Sequence, residues 1–574
     1  MSSKPTFLKR KFFSLLIPGT VSLIVVTVLL LSDSVIAGLT LGEDAVAAIS
    51  LVTPAYSLAA FFAGMISVGV PILYSKAMGE FKKDEADRYF ALGFTAALAI
   101  GIIMAGGLLV FGDFYLRSYN ASEAVFNHAH AYFFWYKLTI MLTALNMLLS
   151  EMVLADGDET LSLVSSLVQV VGNIVLSVVL SRFFGMAGIA FASFAGTACA
   201  LVIAGLHFFK KSNSLKIGFF FSLKKLVAVV KYSAIDAGSY LFLALFAIGI
   251  EHFIIAAWGS DLLILASVFL LVKEFQMVFD GIGEAVTPIM NIYLGEESCP
   301  AIRKCYTLAK KTAVIEGLIV TLVIIAFSPL IVKIYGITSP HLFDFADKGA
   351  KILALGLTHV SLLYLLTSYY LIIDRIRLGF VICCLRDVIV SLPLCMLLGK
   401  IFGVYGMFAG GALSPVAAYY LSLLFVRVKY GRENTPLLLS DREKTLQAVF
   451  FEFTVTPEAI IAVQKNVGDF LRAHEVGKSL VTKTELLIEE LYMLVYERNE
   501  KKNTVCAECT ALIRDDGIQI IEKDDGVLFD LSDENSLPTS LGAFVVASYM
   551  ERMQGNKMYL TTMSYNRNTF KVNM

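Results

Sequence analysis

The chain has 574 residues, 57% of them hydrophobic and only 17% charged, with a mean hydropathy of +0.73 and a net charge of −1. An ordinary soluble domain is roughly 45–50% apolar and about 25% charged, so a wholly soluble protein is excluded. The near-neutral balance gives nucleic acid no purchase as a partner.

Apolar runs of about 20 residues, the length that crosses a bilayer, begin near Phe12, Ala45, Phe90, Ala131, Leu161, Gly185, Val229, Leu262, Ala309, Ile352, Gly379 and Val404. Twelve spans are therefore expected up to about Arg427. Lys9, Arg10 and Lys11 precede the first run. A secretory signal also starts basic, but its apolar part is only roughly 7–15 residues. This run is longer and is read as a retained span. With the N-terminus inside, the inner segments collect 23 Lys and Arg and the outer ones 6 (Arg117, Arg182, Lys333, Lys348, Lys351 and Lys400). Cations near span ends mark the cytoplasmic side. Both termini come out cytoplasmic, in a multi-pass protein of the cell inner membrane or plasma membrane.

Charges inside such spans are costly, about 2.5–3.5 kcal/mol each on insertion scales. Asp33 stands in "IVVTVLLLSDSVIAGL". It is either at the water-facing end of span one or facing a central cavity. Glu251, in "AIGIEHFIIAAWG", is mid-span, and His252 beside it points about 100° away on a helix. Span eight, "LLVKEFQMVFDGIGEAVTPIMN", places Lys273, Asp280 and Glu284 on one helix face, with Glu274 off that stripe. This set reads equally as a neutralised structural cluster or as the polar wall of a substrate cavity. Asp156 and Asp374 fall in turn-like sequence and read as loop or gate structure.

The two halves repeat. "RFFGMAGIAFA" from Arg182 aligns with "KIFGVYGMFAG" from Lys400, so that Gly185 and Gly188 meet Gly403 and Gly406. Earlier, Gly42 and Pro71 meet Gly259 and Pro288 at nearly the same offset. An even number of spans per half gives parallel repeats, which place a substrate site at their interface and work by alternating access.

"SDSVIAGLTLGEDAVAAISLVTP", "GMISVGVPILYSKAMGE" and "LADG…VGNIVLSVVL…FGMAGIAFAS" resemble the multidrug and toxic compound extrusion (MATE) family, over about residues 10 to 430. The wider superfamily also contains lipid-linked oligosaccharide flippases. The resemblance implies that Asp33 is a cation or proton site. The family's fifth span often reads Asn-x-x-x-Asp; here Asn173 is followed by Ser177, so the second carboxylate is missing and Asn173 is left to support Asp33. Glu251 resembles the cation-site Glu of another branch.

Beyond Arg427 the chain reads as soluble protein. "VFFEFTV" alternates like a strand, and Thr456-Pro457 opens a helix. Thr482 and Glu485 form a capping box for a second helix. "TVCAECTALI" and "GIQIIEKD" are strands joined through Asp516-Gly517. A helix near 542–553 and a last hairpin follow. Cys506 and Cys509 form a lone CxxC within a strand; all eight cysteines of the chain read as small buried hydrophobes. "LLIEELYMLV", "EKDDGVLFD" and "LGAFVVASYMERM" resemble the histidine-kinase-like ATPase domain in its small anti-sigma-factor form. The resemblance implies nucleotide contacts from Glu490, Asp524, Gly526 and Gly542. Leu494 stands where the family keeps its Mg²⁺-binding Asn, and leucine cannot ligate a metal that takes oxygen. The domain is therefore read as degenerate, with ATP binding in doubt and a regulatory or docking role preferred.

The expected fold is an all-α membrane protein of about twelve transmembrane helices in two six-helix repeats, plus a C-terminal cytoplasmic α/β sandwich domain. Residues 1–220 and 221–430 are the repeats, 431–444 a linker and 445–574 the tail. The expected function is transport of a small organic compound, cationic or neutral, coupled to H⁺ or Na⁺, with no cofactor and no enzymatic activity. The partners are the substrate, the lipid bilayer and a cytoplasmic regulatory protein, and no nucleic acid. The alternatives are a lipid-linked precursor flippase and a membrane-anchored signalling protein acting through the tail.

Overall fold

The computed structural model describes residues 6–79, 82–210, 213–439, 447–499, 504–527, 546 and 565–573. The first half contains α1 (Phe7–Leu41), α2 (Glu43–Ser67), α3 (Gly69–Gly79), α4 (Lys83–Ser118), α5 (Glu123–Ala155) and α6 (Glu159–Gly205). The second contains α7 (Leu223–Trp258), α8 (Ile264–Glu274), α9 (Asp280–Gly295), α10 (Cys299–Ile334), α11 (Pro340–Ala354), α12 (Leu357–Ile372), α13 (Ile376–Cys384) and α14 (Ser391–Tyr430). Among the described residues eight helices are long and apolar enough to cross a membrane, or nine if α11 and α12, bent by 45°, count as one span.

That number is below the twelve expected for reasons visible in the backbone. α6 and α14 each run through a glycine in the left-handed region, Gly185 (φ 57°) and Gly403 (φ 67°), so each is two helices meeting at a kink. A side chain there would be strained, which is why glycine holds both positions. The kinks fall at the expected starts of the sixth and twelfth runs. They also occupy matching places in the two halves, as do Gly42 and Gly259, both at φ 92°. The repeat read from sequence is thus a repeat of backbone geometry.

Span eight is not one continuous helix. A 3₁₀ stretch, Phe275–Phe279, separates α8 from α9. Three residues per turn instead of 3.6 shift the register, so the single face expected for Lys273, Asp280 and Glu284 does not hold across it.

The tail carries α15 (Pro457–Ala473) and α16 (Lys478–Arg498) against a four-stranded antiparallel sheet in the order β1 (Ala448–Thr454), β2 (Cys506–Arg514), β3 (Gly517–Asp524), β4 (Asn566–Asn573). Thr456 caps α15, its side chain accepting from the Ala459 amide at 3.3 Å. The hairpin at Asp516-Gly517 forms as expected, with Arg514 paired to Gly517. The capping box does not: α16 starts a turn earlier, Val481 is buried in the tail core, and Thr482 bonds back to the Lys478 carbonyl inside the helix. Of the expected helix at 542–553 only Val546 is described, helical and buried in the tail core; Gly542 lies outside the described residues, as does the first part of the last hairpin.

One face of the sheet meets α15 and α16 through Ala507, Cys509, Ile518, Ile520 and Phe570. The other meets the membrane bundle. Cys506 and Cys509, three apart on an extended strand, fall on opposite faces, Cys506 packing with Phe7 and Tyr565. Neither is in a disulfide, and from opposite faces they cannot grip one metal.

Candidate functional site

Asp33 lies two turns inside the C-terminal end of α1, not in the loop that follows it. Its Oδ2 accepts hydrogen bonds from the Tyr132 hydroxyl on α5 and the Ser193 hydroxyl on α6, both at 2.7 Å. Asn173 Nδ2 donates to the same Ser193 oxygen at 2.7 Å, and Ser32 donates to Asn173 Oδ1 at 3.1 Å. The other carboxylate oxygen, Oδ1, is buried with no hydrogen-bond partner. Asp33 and Asn173 are thus brought together through Ser193, which the sequence reading did not include. Ser177, at the place of the missing second carboxylate, is fully buried.

A line of polar side chains leads away from this cluster. Thr197 donates to the Ser193 carbonyl at 2.9 Å, Gln169 to Thr197 at 3.3 Å, and Asn146 to Gln169 at 3.2 Å. Asn146 and Gln169 line a cavity of about 440 Å³ between the two halves. The wall from the first half also supplies Glu151. The second half supplies Lys273, Glu274, Asp280, Tyr364, Arg386 and Asp387. A cavity between two repeated halves, with charged side chains set in its wall, is an arrangement in which a substrate can be held.

Three of the expected cavity residues, Lys273, Glu274 and Asp280, line this cavity; Glu284 lies against Gly19 of α1. Lys273 serves none of the acids near it in sequence. Its Nζ is 3.9 Å from Asp387 and 4.1 Å from the Phe246 ring centre. Arg386 grips Asp387 with two bonds, at 3.0 and 2.8 Å, and stacks 3.9 Å over Tyr364. Arg386 and Asp387 belong to a π-helical turn, Leu385–Ile389. Such turns store irregular backbone and recur at functional sites. Sequence reasoning passed over both, although "CCLRDVIV" carries two opposite charges inside an apolar run.

Glu251 is elsewhere. It is fully buried on α7, near that helix's C-terminal end, facing Ser50 of α2 and Tyr119 at the end of α4. Neither carboxylate oxygen is in hydrogen-bond geometry. It therefore sits at the seam between halves rather than with Glu274 and Asp280. His252 is exposed, its ring 4.5 Å from that of Tyr119. Glu316 on α10 is a further buried acid with both oxygens unpartnered.

In the tail, Asp524 Oδ1 accepts from the Gly526 amide at 2.6 Å, and Asn566 Nδ2 donates to both Asp524 oxygens at 3.1 Å. Glu522 lies beside Asp524 and takes a 2.7 Å bond from Asn568. Glu490 is half-buried on α16, and Leu494 is in the apolar core. Asp524 and Gly526 are thus together, while Glu490 shares no bond with them.

The MatE family model matches residues 18–179. An inward-facing structure of a multidrug resistance MATE family transporter of the MOP superfamily superposes with a TM-score of 0.66 at 17% identity, covering 73% of this chain and 96% of that one. The fold is that of MATE transporters. An outward-facing MATE structure gives 0.59 at 19% identity over 75% and 98% of the two chains. A MOP superfamily transporter from Pyrococcus furiosus, described as having a binding pocket of reversed polarity, gives 0.60 at 18% identity over 75% and 98%. No curated protein matches the chain by sequence. The MATE-like bundle gives the cavity its setting: a multi-pass assembly whose two halves face each other across a void with charged side chains in its wall.

Proposed function

We propose that this protein is a secondary active transporter of the MATE type, exporting a small cationic or neutral organic compound by alternating access in exchange for H⁺ or Na⁺. The observation that carries the reading is Asp33. A carboxylate inside a membrane helix is retained when it serves an ion or proton path. This one holds two hydroxyl donors on one oxygen, leaves the other free, and is joined by polar side chains to the central cavity. A proton or Na⁺ arriving at Oδ1 supplies the missing partner. Its arrival changes the charge of the contact that Asp33 makes between α1, α5 and α6.

The cavity supports a cationic or neutral cargo. Lys273 and Arg386 are both engaged with Asp387, and Glu151, Glu274 and Asp280 remain without an ion pair among the described residues. The two cations favour the flippase alternative, since a phosphate recruits such groups, but their shared counter-charge leaves little for a lipid phosphate to gain. The tail serves as a docking and regulatory module in this reading. Leu494 in its core replaces the oxygen ligand that phosphoryl transfer requires.

The deciding experiment is transport in proteoliposomes with pH and Na⁺ gradients imposed separately. One gradient should drive uptake of a test organic cation by wild type. Asp33→Asn should abolish the gradient-driven component while inserting and unfolding like wild type. Wild-type rates in that variant at equal protein level would overturn the proposal.

A further inference from the structure

A second concavity, of about 770 Å³, opens away from the central cavity at the ends of α7, α13 and α14 that carry the cytoplasmic cations. Its polar wall is Lys231 from α7, Arg375 and Arg377 at the start of α13, and Lys429 near the end of α14, with Asp374 as its one acid. All four cations are exposed, and none is in a recorded salt bridge among the described residues. Two of the four lie near aromatic rings. The Arg375 guanidinium carbon is 5.7 Å from the Tyr430 ring centre, and Lys429 Nζ is 5.5 Å from Tyr430 and 5.7 Å from Phe425.

The apolar surface beside it completes the picture. On α14, Leu421 is 45% exposed, Leu424 55% and Phe425 42%, a strip that faces lipid one to two turns deeper than Lys429. Cations at the headgroup level above exposed hydrocarbon is the arrangement that retains an anionic lipid. The other basic concavity at this rim is different. There Lys82, Lys83 and Arg88 share the wall with Asp84 and Glu85, and Lys225 is bonded to Glu85 at 2.9 Å.

We propose that the Lys231–Arg375–Arg377–Lys429 concavity binds the phosphate headgroup of an anionic phospholipid of the cytoplasmic leaflet, its acyl chains lying along Leu421, Leu424 and Phe425. Two arginines supply paired donors for phosphate oxygens, and the lysines add charge. A free phosphate satisfies the same cations but makes no use of the apolar strip.

The test uses the full chain in phosphatidylcholine nanodiscs titrated with phosphatidylglycerol, with retained lipid counted by native mass spectrometry and Tm followed in parallel. Wild type should retain phosphatidylglycerol and rise in Tm. The Arg375→Gln/Arg377→Gln variant should bind about 25-fold more weakly, each juxtamembrane cation contributing roughly a factor of five. If that double variant fails to fold, Lys231→Gln and Lys429→Gln singly carry the test, at about five-fold each. Lys83→Gln, at the concavity where Asp84 and Glu85 offset part of the charge, should weaken retention less than any of these variants. Equal retention of phosphatidylcholine, unchanged binding in the variants, or the same Tm rise from inorganic phosphate without anionic lipid would each overturn the lipid assignment.

Discussion

Glu508 and Lys523 stand opposite each other in neighbouring strands of the tail sheet, 3.1 Å apart, and neither retains meaningful exposure. They belong to one row across all four strands, Glu452, Glu508, Lys523 and Arg567, on the face turned to the membrane bundle. Glu296, just past α9, accepts from Lys523 at 2.7 Å and from Arg567 at 2.9 Å, and Lys304 of α10 reaches Glu452 at 2.6 Å. Burial pushes the Glu508 carboxyl up, while Lys523 and the Tyr293 hydroxyl pull it back. Lys523→Met should leave Glu508 without its cation and Glu296 with one of two. Removing one partner of a buried pair costs about 3–5 kcal/mol. The expected outcome is a tail that is released while the bundle stays folded, read as faster proteolysis near residue 440 with unchanged membrane insertion. Wild-type protease resistance would show that the charged row is not what seats the tail.

The tail should also respond to pH through Glu522 and Asp524. Burial raises both carboxyls, and Asp524 beside it raises Glu522 further. A carboxyl raised in the folded state contributes stability that is complete below the ordinary carboxyl range and is lost as pH rises through the folded value. Glu522→Gln keeps the Asn568 contact but removes the titration. Its unfolding midpoint should be less sensitive to pH above the ordinary carboxyl range than that of wild type, measured as Tm against pH on the tail signal. Parallel wild-type and variant profiles would exclude this pair as the source.

A latch between the end of α5 and the segment after α6 invites a third test. His207 is fully buried, with Nε2 2.8 Å from Asp156 and Nδ1 2.9 Å from Asp158. Burial tends to raise the Asp156 carboxyl, but bonds from Ser214 and His207 hold it below its ordinary range. Lys210, then His207, hold Asp158 low as well. Carboxyls lowered in this way stabilise the fold above their ordinary range and lose that contribution as pH falls through the depressed values. His207→Ala leaves two acids facing each other and should cost roughly 3–5 kcal/mol. Thermal unfolding in detergent at neutral pH reads the loss directly.

The cavity charges separate into structural and free. Asp387 is the counter-charge of both Lys273 and Arg386, all three nearly buried. Asp387→Asn should destabilise strongly, by at least about 3 kcal/mol, because two buried cations lose their partner. Asp280→Asn removes a charge with no ion pair and should alter substrate affinity with little change in Tm. Equal Tm losses for the two variants would contradict this division.

Much of the bundle was legible because membrane spans must satisfy their backbone internally and announce themselves by length. The tail's first helix was legible from Thr456-Pro457 and its hairpin from Asp516-Gly517. What escaped were contacts set by packing. The partner of Lys273 is Asp387, 114 positions away and placed by a π-turn that no local pattern marks. Glu251 faces the opposite half because α7 packs on α2, a choice its own helix does not encode. The 3₁₀ stretch at Phe275–Phe279 undid the face argument for span eight, since periodicity assumes an unbroken helix.

The start of the first helix is completed by the tail. Arg10 bonds Asp525 at 2.8 Å, the Leu8 amide bonds Glu452 at 2.7 Å, and Phe7 meets Tyr565 edge to face at 5.6 Å. Arg10 and Asp525 are 515 positions apart. At about 5–20 residues per second of synthesis, roughly 25–100 s pass between their emergence from the ribosome. Throughout that interval the N-terminal end of α1, the helix that carries Asp33, waits without these partners. A chain cut before β3 would leave Arg10 and Phe7 at the start of α1 without these contacts.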